Sequence, residues 1–259
     1  MEILCPICKE KLSQKEKSYK CLNNHSFDIS KQGYLNLSLS SSKNTGDEKN
    51  MIKARKAFLD KDYYLFLKEE LNKIITSIKP NNLLDLACGE GYYTKDFPIK
   101  EKIGIDLSKE ALKIASKEDK STKYILKNIF DVPLKDNSLD LIITIFAPLS
   151  KEINRLLKDN GYFIMVKPDK DHLYELKEAI YDKPYYNQIK DNNIDGLNLK
   201  KEIKIKDTKT LNNIDLNNLF KMTPYFHKTS QKDILKLEQI KELKVTFSFT
   251  IDIYIKIKL

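Results

Sequence analysis

The sequence predicts an α/β protein: a Rossmann-like sheet, parallel except for an antiparallel C-terminal strand, preceded by a small zinc-binding module. Three observations support this prediction. Short apolar segments alternate with helical segments through the middle of the chain, as in parallel sheets with right-handed crossovers. The first of these apolar segments ends in a glycine turn. Three of the four cysteines lie within the first 21 residues.

The length and composition of the chain limit its domain organisation and its class. At 259 residues the chain can bury a full core, as one large domain or as one domain plus a small module. It contains no apolar run long enough to span a bilayer, and residues 1–5 do not begin a signal peptide. We therefore expect a cytoplasmic protein with no membrane partner.

Positive charge is concentrated towards the N-terminus. The net charge is +9, and residues 1–61 hold 12 basic against 7 acidic side chains, whereas the remaining 198 hold 34 against 30. Such an excess favours a polyanionic partner on that side of the molecule. Compositional drift towards lysine is the alternative, since only Arg55 and Arg155 are arginines among the 46 basic residues.

Cys5, Cys8, Cys21 and His25 form the pattern C-x2-C-x12-C-x3-H. Three thiolates and one imidazole complete a tetrahedral shell, which indicates structural zinc rather than a catalytic ion with an open position. Disulfides are disfavoured in a reducing compartment, and three cysteines would leave one over. A segment this small cannot fold by burial alone, so metal binding would supply its folding energy. A chance cluster of buried thiols is the alternative.

The predicted domains are the zinc module at 1–37, a linker at 38–50 and a second domain at 51–259. The linker is polar and contains four serines, which is typical of a flexible boundary. Helical spacing follows over 51–59 and again from Tyr63 to about residue 78. The aromatic residues of this region are more typical of a core than of a base-stacking surface.

The central motif is the turn after the first strand, where Gly89 and Gly91 follow Asp85. Glycines at such a turn let a ligand approach the backbone. The second apolar segment ends in Asp106, and Ser108 is placed to cap a helix over 109–117. A glycine turn and then an acid are typical of sites for an adenosine-containing cofactor, whose ribose hydroxyls the acid accepts.

Thr94 stands where a dinucleotide-binding turn has its third glycine. The pyrophosphate of a dinucleotide needs the start of a helix beside it. The departure therefore favours a cofactor without phosphate, S-adenosylmethionine. An ordinary strand–turn–helix whose glycines serve geometry alone is the alternative.

Later segments predict the rest of the sheet. Strands are expected over 124–126, 140–146 and 162–166, and a long alternating strand at 243–259 is expected to pack antiparallel. Helices are expected over 172–181 and over 151–158, the latter capped by Ser150 and ended by Gly161. Ligands of such sheets bind at the carboxyl ends of the strands. The segments that this rule places around one crevice are Asp85, Asp106, Asn128, Asp131, 146–148 and 168–172.

Several stretches together form a more specific pattern: Cys5-Pro6-x-Cys8, Cys21-x3-His25-x-Phe27-Asp28, Ala54-Arg55-x-Ala57-Phe58-Leu59, Cys88-Gly89-Glu90-Gly91-Tyr92-Tyr93, Ile145-x-Ala147-Pro148 and His172-Leu173. On these residues the sequence resembles the bacterial 23S rRNA guanine-N1 methyltransferase family, the RlmA and TlrB group, over nearly its whole length. Met222-Thr223-Pro224 leads into Tyr225 and Phe226, where the family often carries a tryptophan and an arginine.

The resemblance implies a class I methyltransferase fold, S-adenosylmethionine as cofactor, and structural zinc on the four ligands named above. It implies methyl transfer to N1 of a guanine in a 23S rRNA hairpin, with the module at 1–37 recognising the RNA, and it allows a homodimer. Motif and resemblance together predict the cofactor-binding residues Tyr64, Asp85, Gly89, Glu90, Gly91, Tyr92, Tyr93, Asp106 and His172.

Phe146, Ala147 and Pro148 are the candidate pocket for the target base, at the end of the fourth strand. Phe146 would stack on the base or, as the alternative, pack in the core. Asp85 and Asp131 both lie near the expected crevice as acceptors for the N1 proton, and the spacing selects neither. His172 is expected to position the cofactor rather than to act as a base.

Two other classes of function stay open on the sequence. A methyltransferase that modifies a small metabolite would keep the crevice but would not need a basic zinc module. A non-enzymatic, zinc-containing RNA-binding protein would keep the zinc module but would not need the cofactor turn.

Overall fold

The structure of the protein is a computed structural model that describes residues 1–39, 49–189 and 193–257. Most of the predicted linker, residues 40–48, lies outside the described residues. The strands within the described ranges are β1 (Ser13–Lys15), β2 (Ser18–Lys20), β3 (Ser26–Asp28), β4 (Leu35–Asn36), β5 (Asn82–Leu86), β6 (Glu101–Asp106), β7 (Thr122–Leu126), β8 (Leu139–Ile145), β9 (Leu157–Pro168), β10 (Leu197–Asn212) and β11 (Glu242–Lys256).

The helices pack on both faces of the larger sheet. They are α1 (Lys49–Leu59), α2 (Leu65–Ile78), α3 (Lys109–Glu118), α4 (Glu152–Leu156), α5 (Tyr174–Ile180), α6 (Asn213–Lys221) and α7 (Gln231–Glu238). The predicted cap of α3 is confirmed, because the Ser108 side chain accepts a hydrogen bond from the Ala111 N–H at 3.2 Å. No helix within the described ranges is both long and apolar enough to cross a bilayer.

The larger sheet has the strand order β10-β11-β9-β8-β5-β6-β7-β4. The strands from β9 to β4 run parallel, and β11 pairs antiparallel with β9 and β10. The predicted fold class is therefore confirmed, including the antiparallel C-terminal strand. Strand order reverses at β5, between β6 and β8, so the ends of these three strands form the switch point where such sheets bind ligands.

Alternate residues of the central strands enter two separate cores. Leu83 and Ile143 pack with α1, α2, α5, α6 and α7 on one face. Leu84 and Ile142 pack on the other face, in a cluster that also holds α4 and apolar residues of the zinc module. This alternation is the period-two pattern of a sheet that is covered on both sides.

The zinc module is joined to the sheet directly. Strands β1, β2 and β3 form a small antiparallel sheet, and β4 leaves the module to pair in parallel with β7. The backbone N–H of Leu4 donates to the carbonyl of Pro133 at 2.8 Å. The predicted boundary at residue 37 stays a prediction, because the module contributes both a strand and apolar side chains to the second domain.

The prediction for residues 151–161 was wrong in extent. The helix is only α4, and strand β9 already begins at Leu157. Gly161 lies inside β9 instead of ending a helix. A Cβ on Gly161 would stand 2.8 Å from the Lys158 carbonyl oxygen and 3.1 Å from the Leu139 carbonyl oxygen. The glycine is therefore explained by close backbone contact at the register shift between β8 and β9.

Strand β10 was not predicted from the sequence. It forms one edge of the sheet; most of its lysines are exposed, whereas Ile203 and Ile205 are partly buried against the core. Charged, lysine-rich edge strands are a common protection against edge-to-edge association. Such a strand has only one neighbour and a weak apolar pattern, so its sequence resembles a polar loop.

Candidate active site and zinc centre

The four predicted zinc ligands lie together in the N-terminal module. The ligand atoms of Cys5, Cys8, Cys21 and His25 are all within 4.8 Å of one another. The Cys8 and Cys21 sulfurs are 3.7 Å apart, and His25 Nδ1 lies 3.5 Å from the Cys5 sulfur and 3.4 Å from the Cys21 sulfur. Tetrahedral zinc with its usual bond lengths would separate two sulfurs by about 3.8 Å and a sulfur from a nitrogen by about 3.6 Å.

The spacing and the donor set therefore fit a zinc ion held by four protein ligands. Two turns present them: Cys5 and Cys8 before β1, and Cys21 and His25 between β2 and β3. A backbone N–H of Glu10 lowers the pKa of the Cys8 thiol to about 6, which favours the thiolate that binds metal. With every position filled by protein, the ion is structural.

A cavity of about 670 Å³ lies at the carboxyl ends of β5, β6 and β8. Most of the predicted site residues line it: Tyr64, Asp85, Gly89, Glu90, Tyr92, Tyr93, Asp106, Phe146, Ala147 and Pro148. Gly91, His172 and Asp131 do not line it. Its volume is typical of a site for a cofactor-sized molecule.

Asp106 holds the glycine turn in place. Its two carboxylate oxygens accept backbone N–H groups from Gly89 at 2.8 Å and from Ser108 at 2.7 Å. An ionised carboxylate has about four acceptor sites in all, enough in principle for backbone N–H groups and for hydroxyls. The arrangement fits a ribose whose two hydroxyls lie against the end of β6.

The two positions of the turn require glycine for different reasons. Both have positive φ, +56° at Gly89 and +77° at Gly91, which favours glycine. A Cβ on Gly91 would stand only 2.5 Å from the Tyr124 hydroxyl oxygen, whereas one on Gly89 would face the cavity and Arg55. The conformation and the packing against Tyr124 explain Gly91, so the structure gives no support for its predicted cofactor contact.

Asp85 is buried at the end of β5 and accepts a hydrogen bond from the Thr94 hydroxyl. Burial raises the pKa of its carboxyl to about 7, although the Thr94 hydrogen bond works in the opposite direction. Only a short 3-10 turn, Thr94–Asp96, follows the glycine turn. No α-helix begins there to face a pyrophosphate, as we expect for a cofactor without phosphate.

Two tyrosines in the lining of the cavity have buried hydroxyl groups. The hydroxyl oxygens of Tyr92 and Tyr93 are buried and make no hydrogen bond to any described residue. Buried polar atoms are nearly always satisfied in native proteins. Their position in the lining therefore fits a polar ligand that supplies the missing hydrogen bonds.

Phe146 has a backbone conformation that a bulky side chain rarely adopts, with φ of +58°. Such residues cluster at ligand-binding sites and cost about 1–3 kcal/mol each. The ring lies 5.0 Å from the Phe249 ring and 6.2 Å from the Tyr64 ring, measured between centroids, yet 43% of the residue is exposed. Phe146 thus packs on core aromatic residues and also presents part of its ring to the cavity, where stacking on a base stays a prediction.

His172, a predicted cofactor-binding residue, is not among the residues that line the cavity. Its ring is buried, its Nδ1 accepts the backbone N–H of Ser248 at 3.2 Å, and Phe249 packs on it with centroids 4.6 Å apart. Burial lowers the pKa of this imidazole to about 3, so it is neutral at physiological pH. His172 packs behind Phe249, where it can orient that ring, and its contact with the cofactor stays a prediction.

Several lining residues were not among the predicted site residues: Met51, Arg55, Cys88, Phe130 and 222–224. Arg55 pairs with Glu90, with Nε 2.8 Å from Oε2, and joins α1 to the glycine turn. Two features of the sequence could have drawn attention to these residues. Arg55 is one of only two arginines in the chain, and 222–224 is the Met-Thr-Pro motif of the family that the sequence resembles. Nothing in the sequence spacing brings α1 and the end of α6 to the carboxyl ends of the strands.

The fold and site define a Rossmann-like enzyme that binds an adenosine-containing cofactor and carries a structural zinc module. The chain belongs to the family described as "Methyltransferase domain", which matches residues 79–236. Residues 3–44 match the zinc-ribbon family described as "RlmA, N-terminal". The predicted enzyme class, an S-adenosylmethionine-dependent methyltransferase, and the predicted structural zinc are thereby confirmed.

The chain is also similar to several known proteins. The chain is 31% identical over 186 residues, 68% of its length, to the 23S rRNA (guanine(748)-N(1))-methyltransferase of Streptomyces fradiae, and covers 66% of that protein. It is 28% identical over 274 residues to "Putative 23S rRNA (guanine-N(1)-)-methyltransferase YxjB" of Bacillus subtilis (strain 168), covering 98% of this chain and 96% of that one. The YcgJ protein of Bacillus subtilis has a TM-score of 0.49 at 16% identity, covering 74% of this chain and 99% of that one.

Proposed function

We propose that this protein transfers a methyl group from S-adenosylmethionine to N1 of a guanine in a hairpin loop of 23S rRNA. The observation that carries the proposal is the union, in one chain, of an RlmA-type zinc ribbon with a methyltransferase cavity. Relatives named as 23S rRNA guanine-N1 methyltransferases supply the base and the atom. An rRNA substrate would be consistent with activity in the cytoplasm.

The zinc module would be the first part of the protein to bind the RNA. The module carries six exposed lysines: Lys9, Lys11, Lys15, Lys17, Lys20 and Lys31. Lysines of this kind contact phosphates and fix the orientation of a nucleic acid without reading its sequence. Loops expose the Watson–Crick edges that a duplex hides, so a loop guanine can present N1 to the enzyme.

The cavity residues would bind and orient the cofactor. Asp106 would accept the ribose hydroxyls, the Tyr92 and Tyr93 hydroxyls would take the polar groups that they face, and Asp85 would hold the turn through Thr94. When bound, S-adenosylmethionine supplies a methyl group on a sulfonium, which is already a strong electrophile. The protein therefore contributes mainly alignment of the two reacting atoms, which can account for much of a rate enhancement.

The target base would enter beside Phe146, Ala147 and Pro148. Phe146 offers a partly exposed ring for stacking, and Phe130, also 43% exposed, borders the same cavity. N1 of guanine must lose its proton during or after methyl transfer. Asp85 is the predicted acceptor that lines the cavity; Asp131 instead pairs with Lys127 outside it. Water is the other acceptor for this proton.

Radiolabelled S-adenosylmethionine incubated with total RNA, with protein and with a small-molecule extract tests the proposal. We expect label in large ribosomal RNA and a reverse-transcriptase stop one nucleotide before the modified guanine. Gly89→Arg places a large side chain in the cavity, so RNA treated with this variant should read through. Label only in the small-molecule extract would favour a metabolite methyltransferase, and label in no fraction would favour a non-enzymatic RNA-binding protein.

A further inference from the structure

A second cavity, of about 440 Å³, lies between α1 and the C-terminal end of α6. Met51 lines both this cavity and the cofactor cavity, so the two adjoin. One short segment also borders both, because 222–224 line the cofactor cavity and Phe226 and His227 line the second one. The two cavities therefore share part of their lining at Met51.

The second cavity is basic. Exposed Lys53 from α1 and exposed Lys221 from the end of α6 line it, together with His227 and the side-chain amide of Asn218. None of the described residues in its lining carries a carboxylate. Lysine ammonium and amide N–H groups are the donors that contact phosphate oxygens in nucleic-acid complexes. The chemistry of this lining therefore selects an anion.

The cavity also contains an aromatic platform. Phe226 packs edge-on against the buried ring of Phe220, with centroids 5.7 Å apart, and against the His227 ring at 5.3 Å. This packing fixes one side of the ring, while the residue stays only partly buried and lines the cavity. Bases of single-stranded RNA stack on such rings with little dependence on sequence.

The distribution of charge along the chain points to the same place. The zinc module at 1–37 holds six basic against four acidic residues, whereas 38–61 holds six against three. Residues 49–61, which are α1 and the turn after it, alone hold five basic against one acidic residue, so the larger part of the N-terminal excess lies on or beside α1. Helix α1 presents Lys53 to the second cavity and Arg55 to the first.

We propose that the second cavity binds a nucleotide of the RNA substrate that neighbours the target guanine. Lys53 and Lys221 contact its backbone phosphate, and Phe226 stacks on its base. The neighbour is thereby held next to the cofactor cavity, which splays the target base towards Phe146. The identity of the RNA rests on the proposed function; the anion and base chemistry of the cavity does not.

Two variants of the full chain test this assignment. Lys53→Glu combined with Lys221→Glu reverses the charge, and Phe226→Leu keeps an apolar contact with Phe220 but removes the stacking ring. Lys73→Glu on α2 is the control for reversal of a lysine charge outside both cavities. Its side chain is 73% exposed and pairs with Glu70 on the same helix. The probe is deproteinised 23S rRNA, measured by filter binding over a series of salt concentrations.

We expect the double charge reversal to weaken RNA binding at least tenfold and to reduce the slope of log affinity against log salt by about 1. Phe226→Leu should weaken binding roughly tenfold, within the range found for loss of one stacked base. Calorimetric binding of S-adenosylmethionine should be unchanged in all three variants. RNA affinities within twofold of Lys73→Glu would overturn the proposal.

Ultraviolet crosslinking of the wild-type chain to the same RNA separates this proposal from the proposed function. A nucleotide adduct on the peptide that contains Phe226, without methyl transfer, would support the cavity assignment and overturn the rRNA methyltransferase function. Methyl transfer without that adduct, and with unchanged affinities of the variants, would overturn the cavity assignment and leave the function standing.

Discussion

Asp106 accepts two backbone N–H groups, those of Gly89 and Ser108, and so fixes both the cofactor turn and the start of α3. A neutral side chain could not accept both of these hydrogen bonds and two ribose hydroxyls as well. In its proposed role, this acid at the end of β6 would hold the turn and also bind the cofactor. The sequence singled out Asp106 because a carboxylate at the end of the second strand suits both uses, and its contact with the ribose stays a prediction.

Asp106→Ala should weaken S-adenosylmethionine binding by roughly 1.5–3 kcal/mol, or about 10- to 150-fold, because hydrogen bonds to a charged acceptor are lost. Isothermal titration calorimetry measures the affinity. Asp182→Ala, at a carboxylate that is 83% exposed, is the control and should bind as the wild type does. Equal affinity of the Asp106 variant would show that the ribose lies elsewhere.

The buried carboxyl of Asp85 should make stability depend on pH. Burial raises its folded pKa from 3.8 to about 7, so the unfolded chain releases this proton first as the pH rises. The wild type should therefore lose stability relative to Asp85→Asn between about pH 4 and 7, by at most about 4 kcal/mol. Urea unfolding of both proteins at pH 4.5 and 7.5 tests this. Both proteins carry the zinc site, so its own dependence on pH cancels in the difference between their free energies of unfolding. A difference that does not change with pH would contradict it.

At the scale of elements, the glycine turn after β5 packs on β7. Tyr124, on β7, donates its hydroxyl to Asp119 at 3.1 Å and fills the space that a Cβ on Gly91 would need. Two strands that are not neighbours in the sheet thus determine the shape of the turn. The pattern Gly-x-Gly indicated the turn, but only the fold shows that the second glycine serves this contact.

Gly91→Ala should destabilise the protein by about 1–3 kcal/mol, through the positive φ and the clash with the Tyr124 hydroxyl. Tyr124→Phe removes the clashing oxygen, so the double variant should be more stable than the sum of the two single effects predicts. Chemical denaturation of the four proteins of this cycle measures the coupling. Additive effects would mean that backbone conformation alone requires glycine at position 91.

For the molecule as a whole, the zinc module and the sheet share one core. Ile3 and Phe27 of the module belong to the same buried cluster as Leu84 and Ile125 of the sheet. The bridge between Ile3 and Leu134 and the pairing of β4 with β7 add backbone hydrogen bonds across the junction. Zinc binding should therefore contribute to the stability of the whole chain rather than to that of the module alone.

Cys21→Ser should abolish binding of one zinc per chain and lower the thermal midpoint of the whole protein, because metal binding is worth on the order of 10 kcal/mol in isolated zinc fingers. Metal analysis and calorimetric unfolding measure the two effects. Cys88→Ser is the matched control, since Cys88 lies in the cofactor cavity and not near the zinc ligands. A separate, unchanged transition for the second domain would show that the shared core is not cooperative.

The sequence by itself determined the features that depend on local chemistry. Ligand spacing identified the zinc centre, the Gly89 turn and Asp106 identified the cofactor site, and period-two alternation identified β11. Each of these rests on residues that are neighbours in the chain or on a fixed strand geometry. General rules of handedness and crossover then narrow the possible orders of the parallel strands.

Only the tertiary structure decided which distant segments meet. It placed His172 behind Phe249, brought Arg55 and 222–224 to the cofactor cavity, and joined Lys53 to Lys221 in a second cavity. The last two of these arrangements involve α1 and the end of α6, two helices that pack together although more than 150 residues separate them in the chain. Packing of this kind depends on the shapes of both surfaces, and no local pattern in either segment records its partner.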